Sequence, residues 1–192
     1  MPRLSPTSIA AAIVTALTLV VVAVPRAEAQ ISLLPSDPLV EAARDNDVTA
    51  VRELLARGVR PDEADERGRT PLMIAARQGS TSMVDALIAG GASPRRGDEA
   101  GNTPLHFAAA AADPMAVRLL IEAGASIDAA NRDGVTPLMV AARGGRLGAV
   151  EALIAAGADP MLTDYSGRSA LDWARTARST AVTEALRDAA RG

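Results

Sequence analysis

The sequence predicts an all-α solenoid of about five helix-loop-helix units. A short phrase, Thr-Pro-Leu-x or its variant Ser-Ala-Leu-x, begins at residues 70, 103, 136 and 169, so it recurs every 33 residues. An apolar stripe, Val-x-x-Leu-Ile, recurs with the same period at 84–88, 117–121 and 150–154, and its spacing is that of one helix face. A fixed period of this size is typical of arrays in which each unit buries its apolar surface against its neighbours.

Five units are expected rather than four, because the pattern also occurs one period before the first Thr-Pro phrase. Asp37-Pro38-Leu39 lies 33 residues before Thr70-Pro71-Leu72, and Ala42-Ala43 occupies the place of the later Ala pairs. We place the repeat domain at residues 36–191. Its units have the approximate bounds 36–66, 67–99, 100–132, 133–165 and 166–191.

The first helix of each unit is predicted from its start signal. The Thr of the phrase can cap free backbone N–H groups, and the Pro after it suits the first helical position. Asp37 and Ser169 keep the capping chemistry in the first and last units. The Ala pair that follows, as at Ala75-Ala76, lets helices approach closely. Phe107 and Trp173 occupy apolar positions of these helices, so we expect both rings in the core.

The second helix of each unit carries the Val-x-x-Leu-Ile stripe. A Gly after it, as at Gly91, suits a left-handed helix end, which residues with a Cβ tolerate poorly. Between units, an Asp or Asn stands three residues before a turn Gly, where its side chain can bond the backbone amides of the turn. These residues are Asp65, Asp98, Asn131 and Asp164. Each unit is therefore expected to contain a turn, a short helix, a loop and a longer helix.

With this signature on hand, the chain resembles the ankyrin repeat family, whose T-P-L-H-x-A phrase and period it matches over about residues 36–191. The resemblance implies hairpin-like fingers at the turns and a concave groove between the fingers and the first helices. His106 is the one His at the fourth position of the phrase, where the family uses His in hydrogen bonds that tie units together.

Two units depart locally from the shared pattern. In the third unit, Ala112-Asp113-Pro114 replaces the Gly present at Gly79 and Gly145, so we expect the loop between its helices to differ. In the last unit, Arg187 occupies an apolar position of the earlier second helices. A charged residue there is what a terminal repeat with an uncovered face requires.

The resemblance also implies a protein-protein interaction module whose groove binds the partner. The candidate residues, carried over by register, are Arg67, Arg69, Asn102, Arg132, Tyr165 and Arg168 on the fingers, with Arg77 and Arg143 at the ends of first helices. Arg44 shares the position of the last two. These three arginines either clamp carboxylates of a partner or complement the negative ends of their own helices. Tyr is enriched among interface anchors, which makes Tyr165 the leading contact.

The composition argues against catalysis. The chain has one His, no Cys and no Lys, and it has neither a G-x-S-x-G elbow nor a glycine-rich phosphate loop. The usual pairings of nucleophile and base therefore cannot be assembled. The acidic run from Asp62 to Glu66 lacks the spacing of a calcium loop and is better interpreted as a solvated turn. We expect no enzyme activity, no cofactor and no metal.

The first 29 residues have the layout of a secretory signal peptide. Arg3 precedes an apolar stretch from residue 9 to residue 24, and Ala27-Glu28-Ala29 offers a small-x-small cleavage site. A short leader at 30–35 would follow it. The alternative is an uncleaved membrane anchor, although the stretch is slightly shorter than the ~20 residues that span a bilayer. We expect cleavage after Ala29, and no membrane span in the mature chain.

These observations predict a non-enzymatic module of the bacterial envelope, periplasmic or secreted, that acts as a monomer and binds another envelope or secreted protein. A formal net charge of −3 argues against nucleic acid, which requires a basic face. An inhibitor or immunity-type protein that blocks an exported hydrolase would use the same groove. An envelope stress-protection accessory is a third hypothesis, disfavoured by the lack of a pocket-forming element or a thiol.

Overall fold

The structure, a computed structural model, describes residues 37–191. The predicted signal peptide, its cleavage site and the leader lie outside the described residues. Within that range the chain forms ten α-helices in five successive pairs, which confirms the all-α prediction. The β structure of the same range is one antiparallel bridge between Thr163 and Ser169. None of the helices between residues 37 and 191 is long and apolar enough to span a membrane.

The two helices of each pair have the bounds expected from the start signals. The first helices are α1 (Pro38–Arg44), α3 (Pro71–Gln78), α5 (Pro104–Ala110), α7 (Pro137–Arg143) and α9 (Ala170–Ala177). The second helices are α2 (Val48–Ala56), α4 (Thr81–Ala89), α6 (Met115–Glu122), α8 (Leu147–Ala155) and α10 (Thr180–Ala189). Helices this short are marginal by themselves in water, so packing must stabilise them.

The predicted caps start the first helices. The Thr70 side chain accepts a hydrogen bond from the Met73 amide, and the Ser169 side chain accepts one from the Asp172 amide. Asp37 does the same for the Leu39 amide at the start of α1. In α3, α5 and α7 a Pro follows the cap directly, where its missing N–H costs nothing.

One apolar core connects the successive pairs. First helices pack on first helices and second helices pack on second helices along the chain. The Leu that follows each Pro is fully buried at Leu39, Leu72, Leu105 and Leu138. Because neighbouring pairs cover these side chains, the free energy of each unit depends on the units beside it.

Hairpin-like fingers lie between the pairs, at residues 65–69, 98–102, 131–135 and 164–168, numbered one to four here. In each finger the first amide donates to the carbonyl of the fifth residue, at 2.9–3.0 Å. Adjacent fingers are joined as well: the Glu99 amide donates to the Arg67 carbonyl, Arg132 to Ala100, and Tyr165 to Asp133. The predicted Asp and Asn residues hold the turns, as where Asp98 Oδ1 accepts from two backbone amides of its own finger.

The loop of the third unit differs, as predicted. α5 ends at Ala110, the next residue is extended, and Asp113 accepts a hydrogen bond from the Met115 amide at the start of α6. The other four units pass through a residue with positive φ at this place. Those residues are Asn46, Gly79, Gly145 and Arg178.

The prediction that Phe107 and Trp173 lie in the core is wrong. Both rings are half-buried and pack against the edge of the core. At the equivalent place in α3, Ile74 is 2% exposed, because the shorter side chain stays within the space between the helices. The larger aromatic rings extend past that space toward the fingers.

Candidate functional site

The fingers and the first helices form a surface with two depressions of about 410 Å³ each. Both combine finger residues with a side chain of a first helix. The N-terminal depression includes Arg67, Glu99 and Phe107, and the C-terminal depression includes Tyr165 and Trp173. We call this surface, from finger one to finger four, the groove.

Six of the eight predicted partner-binding residues line these depressions. Arg67, Arg69 and Asn102 belong to the N-terminal depression, and Arg143, Tyr165 and Arg168 belong to the C-terminal one. Arg77 lies exposed in the last turn of α3, and Arg132 is exposed on finger three. Another depression, of about 390 Å³, lies between α6 and α8 and contains none of the predicted residues.

Finger one is closed by an ion pair that uses two arginines. Asp65 Oδ2 accepts from Arg69 Nη2 at 2.7 Å and from Arg44 Nη2 at 2.9 Å. Partial burial by itself would raise the pKa of Asp65, but the hydrogen bonds from the Arg69 side chain and from the Arg69 and Arg67 amides lower it to about 2. The carboxylate therefore stays ionised at neutral pH and keeps Arg44 and Arg69 bound to it.

The middle fingers are connected through amide side chains. Asn131 Nδ2 donates to Asn102 Oδ1 at 2.8 Å, which joins fingers two and three. Asn131 Oδ1 accepts from two backbone amides of its own finger. Much of the hydrogen-bonding capacity of Asn102 is thus used inside the scaffold.

The three arginines at the ends of first helices do not form a uniform wall. Arg44 is paired with Glu41 as well as with Asp65. Arg77 has no ion-pair partner among residues 37–191, and the guanidinium of Arg143 lies 5.3 Å from the centroid of the Trp173 ring. Arg77 and Arg143 are therefore the members of this set that stay open to a partner.

The C-terminal depression is organised around one buried carboxylate. Asp164 is 4% exposed, and it accepts from Ser166 Oγ at 2.6 Å, from Arg168 Nε at 3.1 Å and from Trp173 Nε1 at 3.1 Å. The Ser166 hydrogen bond, with the amides and charge of Arg168 and the Ser166 amide, outweighs desolvation and lowers the pKa of Asp164 to about 2. A permanent negative charge thus fixes both the indole and the guanidinium.

Trp173 is the residue of this site that sequence reasoning missed. The guanidinium carbon of Arg168 lies 3.8 Å from the ring centroid, and Tyr165 beside it is 79% exposed. The register placed Trp173 with core residues, because its counterparts are apolar. The one available signal was its size, since a Trp at a place built for Ile or Val cannot be buried completely.

His106 ties two units together. Its Nδ1 accepts from the Thr103 amide at 3.1 Å, so the proton is on Nε2, which donates to the Val135 carbonyl of finger three at 3.0 Å. The ring is 3% exposed, and burial lowers its pKa. This arrangement needs the neutral ring, which is a structural use of the side chain.

The acidic run beside finger one takes part in turn contacts. Asp62 Oδ1 accepts from the Ser93 amide of the next unit at 2.9 Å, and Glu63 pairs with Arg60. Between residues 37 and 191 no group of three or more His, Asp and Glu side chains is arranged to hold a metal ion.

Comparison with known proteins gives the family. A family model described as ankyrin repeats in three copies matches residues 39–131, and one described as ankyrin repeats in many copies matches residues 120–174. A search of curated proteins gives no match. The two models together cover most of the chain and agree with its period, its helix pairs and its fingers, so the chain belongs to the ankyrin repeat family.

Proposed function

We propose that this protein is a non-enzymatic adaptor of the bacterial envelope that binds another protein through the groove. Ankyrin repeats are protein-protein interaction modules, and the family is typically without enzymatic activity. The observation that carries the groove assignment is that side chains from different units open onto shared depressions. A partner lying across the fingers would therefore contact several units at once.

Variation along the fingers supports this assignment. The third residue of each finger is exposed, and its chemistry changes from unit to unit: Arg67, Ala100, Asp133 and Ser166. The buried Thr of the helix cap is the same at Thr70, Thr103 and Thr136. A repeated scaffold with differing exposed side chains is what recognition of one particular partner needs.

The envelope location rests on the N-terminal sequence. Its positive start, apolar stretch and Ala-x-Ala site favour export through a secretory route. The absence of cysteines means that the exported domain relies on repeat packing instead of disulfides. We expect the mature protein to begin at Gln30 in the periplasmic fraction, which N-terminal sequencing would establish.

Cross-linked capture tests the groove. The full chain, tagged at its C-terminus, is expressed in a bacterium beside a groove variant in which Arg77, Arg143 and Tyr165 are changed to Ala. A matched control carries Arg52→Ala, Arg187→Ala and Met161→Ala, since these exposed residues lie away from the groove. We expect mass spectrometry to find one envelope protein with the wild type and the control and to lose it with the groove variant.

Equal capture by all three proteins would overturn the groove assignment. Circular dichroism melting of the groove variant serves as the folding control, because all three of its changed residues are exposed. A captured hydrolase that loses activity in the complex would indicate an inhibitor instead of an adaptor. Retention of residues 1–29 in the membrane fraction would contradict the exported form.

A further inference from the structure

We propose that Arg143, Arg168 and Trp173 form a carboxylate-binding anchor that takes an Asp or Glu side chain from an acidic segment of the partner protein. We call these three residues the arginine-tryptophan cluster. The inference rests on the proposed function of the groove and assigns a chemistry to its C-terminal depression. It stands on the geometry of the cluster, on its unused hydrogen-bond donors and on the charge of the groove.

The cluster is held in place before any partner arrives. Asp164 bonds the indole N–H of Trp173 and the Nε of Arg168, and Ser166 Oγ accepts from the same Nε at 2.8 Å. The Arg168 guanidinium lies over the indole ring. Side chains fixed in this way lose little further conformational freedom on binding, so less of the binding free energy is spent on ordering them.

The donors that would face a ligand are unused. Among residues 37–191, hydrogen bonds of the Arg168 guanidinium are made by Nε alone, and its two Nη groups have no acceptor. The Arg143 side chain has no hydrogen-bond or ion-pair partner in the same range, and its recorded contact is the Trp173 ring. A guanidinium presents its donors in a planar fork that matches the two oxygens of a carboxylate.

Finger one provides an internal comparison. Arg69 has the register position of Arg168, but Asp65 binds it through both Nε and Nη2, and its side chain is 19% exposed. In finger four, Asp164 divides its acceptor capacity among Ser166, Trp173 and Arg168, and the Arg168 side chain is 49% exposed. Trp173 thus takes a hydrogen bond that would otherwise hold the arginine, which leaves the fork open.

The charge of the groove favours an acidic occupant. Exposed basic residues on the fingers and at the ends of α3 and α7 outnumber exposed acidic residues on the same surface. The basic residues are Arg67, Arg77, Arg132, Arg143 and Arg168, and the acidic ones are Glu66, Glu99 and Asp133. The whole chain is acidic, with a formal net charge of −3, so this surface is a basic stripe on an acidic protein. An acidic peptide segment is attracted to the stripe, whereas the long phosphate backbone of a nucleic acid is repelled by the remainder.

Trp173 gives the experiment its readout, because it is the one Trp of the chain. The full-length protein is titrated at low ionic strength with a short peptide of alternating Glu and Gly residues, and Trp173 fluorescence is followed. A peptide of alternating Gln and Gly residues is the uncharged control, and a thymidine oligonucleotide tests for nucleic acid. We expect saturable change with the Glu peptide alone, weakened by added salt.

Variants then locate the binding. Arg143→Gln is expected to weaken the Glu peptide about fivefold without lowering the melting temperature, since the side chain has no hydrogen-bond partner within the described residues. Arg52→Gln removes the same charge from an exposed position of α2 and is expected to bind like the wild type. Arg143→Lys keeps the charge and loses the planar fork, so we expect it to bind as weakly as the Gln variant.

Four results would overturn the cluster assignment. They are no binding of the Glu peptide, binding of the oligonucleotide alone, equal weakening by the Arg143 and Arg52 variants, and binding seen by anisotropy of a labelled peptide without change in Trp173 fluorescence. The groove function is tested separately, because capture of the native partner is compared through a variant that also alters Arg77 and Tyr165. Groove-dependent capture with any of these four results would reject the anchor alone.

Discussion

The hydrogen bonds of His106 depend on its protonation state. Nδ1 must be unprotonated to accept from the Thr103 amide, and Nε2 must carry a proton to donate to Val135. Protonation would place a second donor opposite the amide and put a charge into a buried site. Burial accordingly lowers the pKa of His106 from 6.5, and the Val135 bond and the Asp98 charge offset this only in part.

Folding stability is therefore expected to fall as the pH drops below 6.5. In this range the unfolded chain binds a proton at His106 that the folded chain does not, so the unfolded state is favoured until the pKa of the folded state is reached. His106→Met is the matched variant, because Met139 has this position in the next unit and its sulfur accepts from the Thr136 amide at 3.5 Å. Urea unfolding between about pH 7 and pH 5 should show a flatter dependence for the variant.

Carboxylates cannot produce this difference, since both proteins carry the same ones. The pKa values of about 2 at Asp65 and Asp164 also place those groups far below the range tested. Equal pH dependence of the wild type and the Met variant would mean that His106 is not the titrating group.

At the scale of elements, the loops between paired helices pass through one strained position. Gly79 and Gly145 adopt positive φ there without steric cost, and Asn46 is a residue type that tolerates this region. Arg178 has φ 56 at the same place and has neither advantage. The third unit avoids the left-handed region by starting α6 through Asp113 instead.

Arg178→Gly should raise the free energy of unfolding by about 0.5–1 kcal/mol, the left-handed strain relieved less the added backbone entropy of Gly. The change is readily interpreted, because Arg178 is exposed and its side chain makes no recorded hydrogen bond. Arg178→Ala is the control: it removes the same charged side chain but keeps the Cβ, so no gain is expected. Guanidinium unfolding of both variants provides the comparison, and equal stabilities would show that φ at this place costs nothing.

For the whole molecule, connections between units run along both sides of the helix stack. The fingers are joined through their backbones, and on the far side of the second helices each unit reaches the next through one side chain. Arg95 Nε donates to the Gly124 carbonyl at 2.7 Å, and Asp128 accepts from the Asp159 amide at 3.2 Å. These bonds recur with the period of the repeat, so they add to the coupling between neighbouring units.

The sequence predicted what each unit does for itself and left open what two units do together. Caps, helix bounds and turn Asp residues follow from local chemistry, and so they were confirmed at Thr70 and Asp98. The pairing of Arg44 with Asp65 joins residues of different elements and has no local signal. Trp173 was misplaced for a related reason, because its contacts with Asp164 and Arg143 exist only after finger four and α7 have come together.

Coupling between units makes the middle of the stack its most sensitive point. Leu105 is fully buried in α5, which packs against α3 on one side and α7 on the other. Leu105→Ala should therefore lower the free energy of unfolding by about 2–5 kcal/mol through lost burial and the cavity left behind. Leu39→Ala, in the first helix pair, is the comparison, because loss at an end frays one unit and leaves its neighbours covered.

Two probes decide whether the stack unfolds as one body. Circular dichroism follows all the helices, whereas Trp173 fluorescence follows the last pair, which lies two units beyond Leu105. In a cooperative stack the two denaturation curves of Leu105→Ala coincide and shift together to lower denaturant. If Trp173 instead kept its wild-type midpoint while the helical signal fell early, the units after α6 would be stable without their neighbours, and the coupling inferred from the shared core would be too weak to matter.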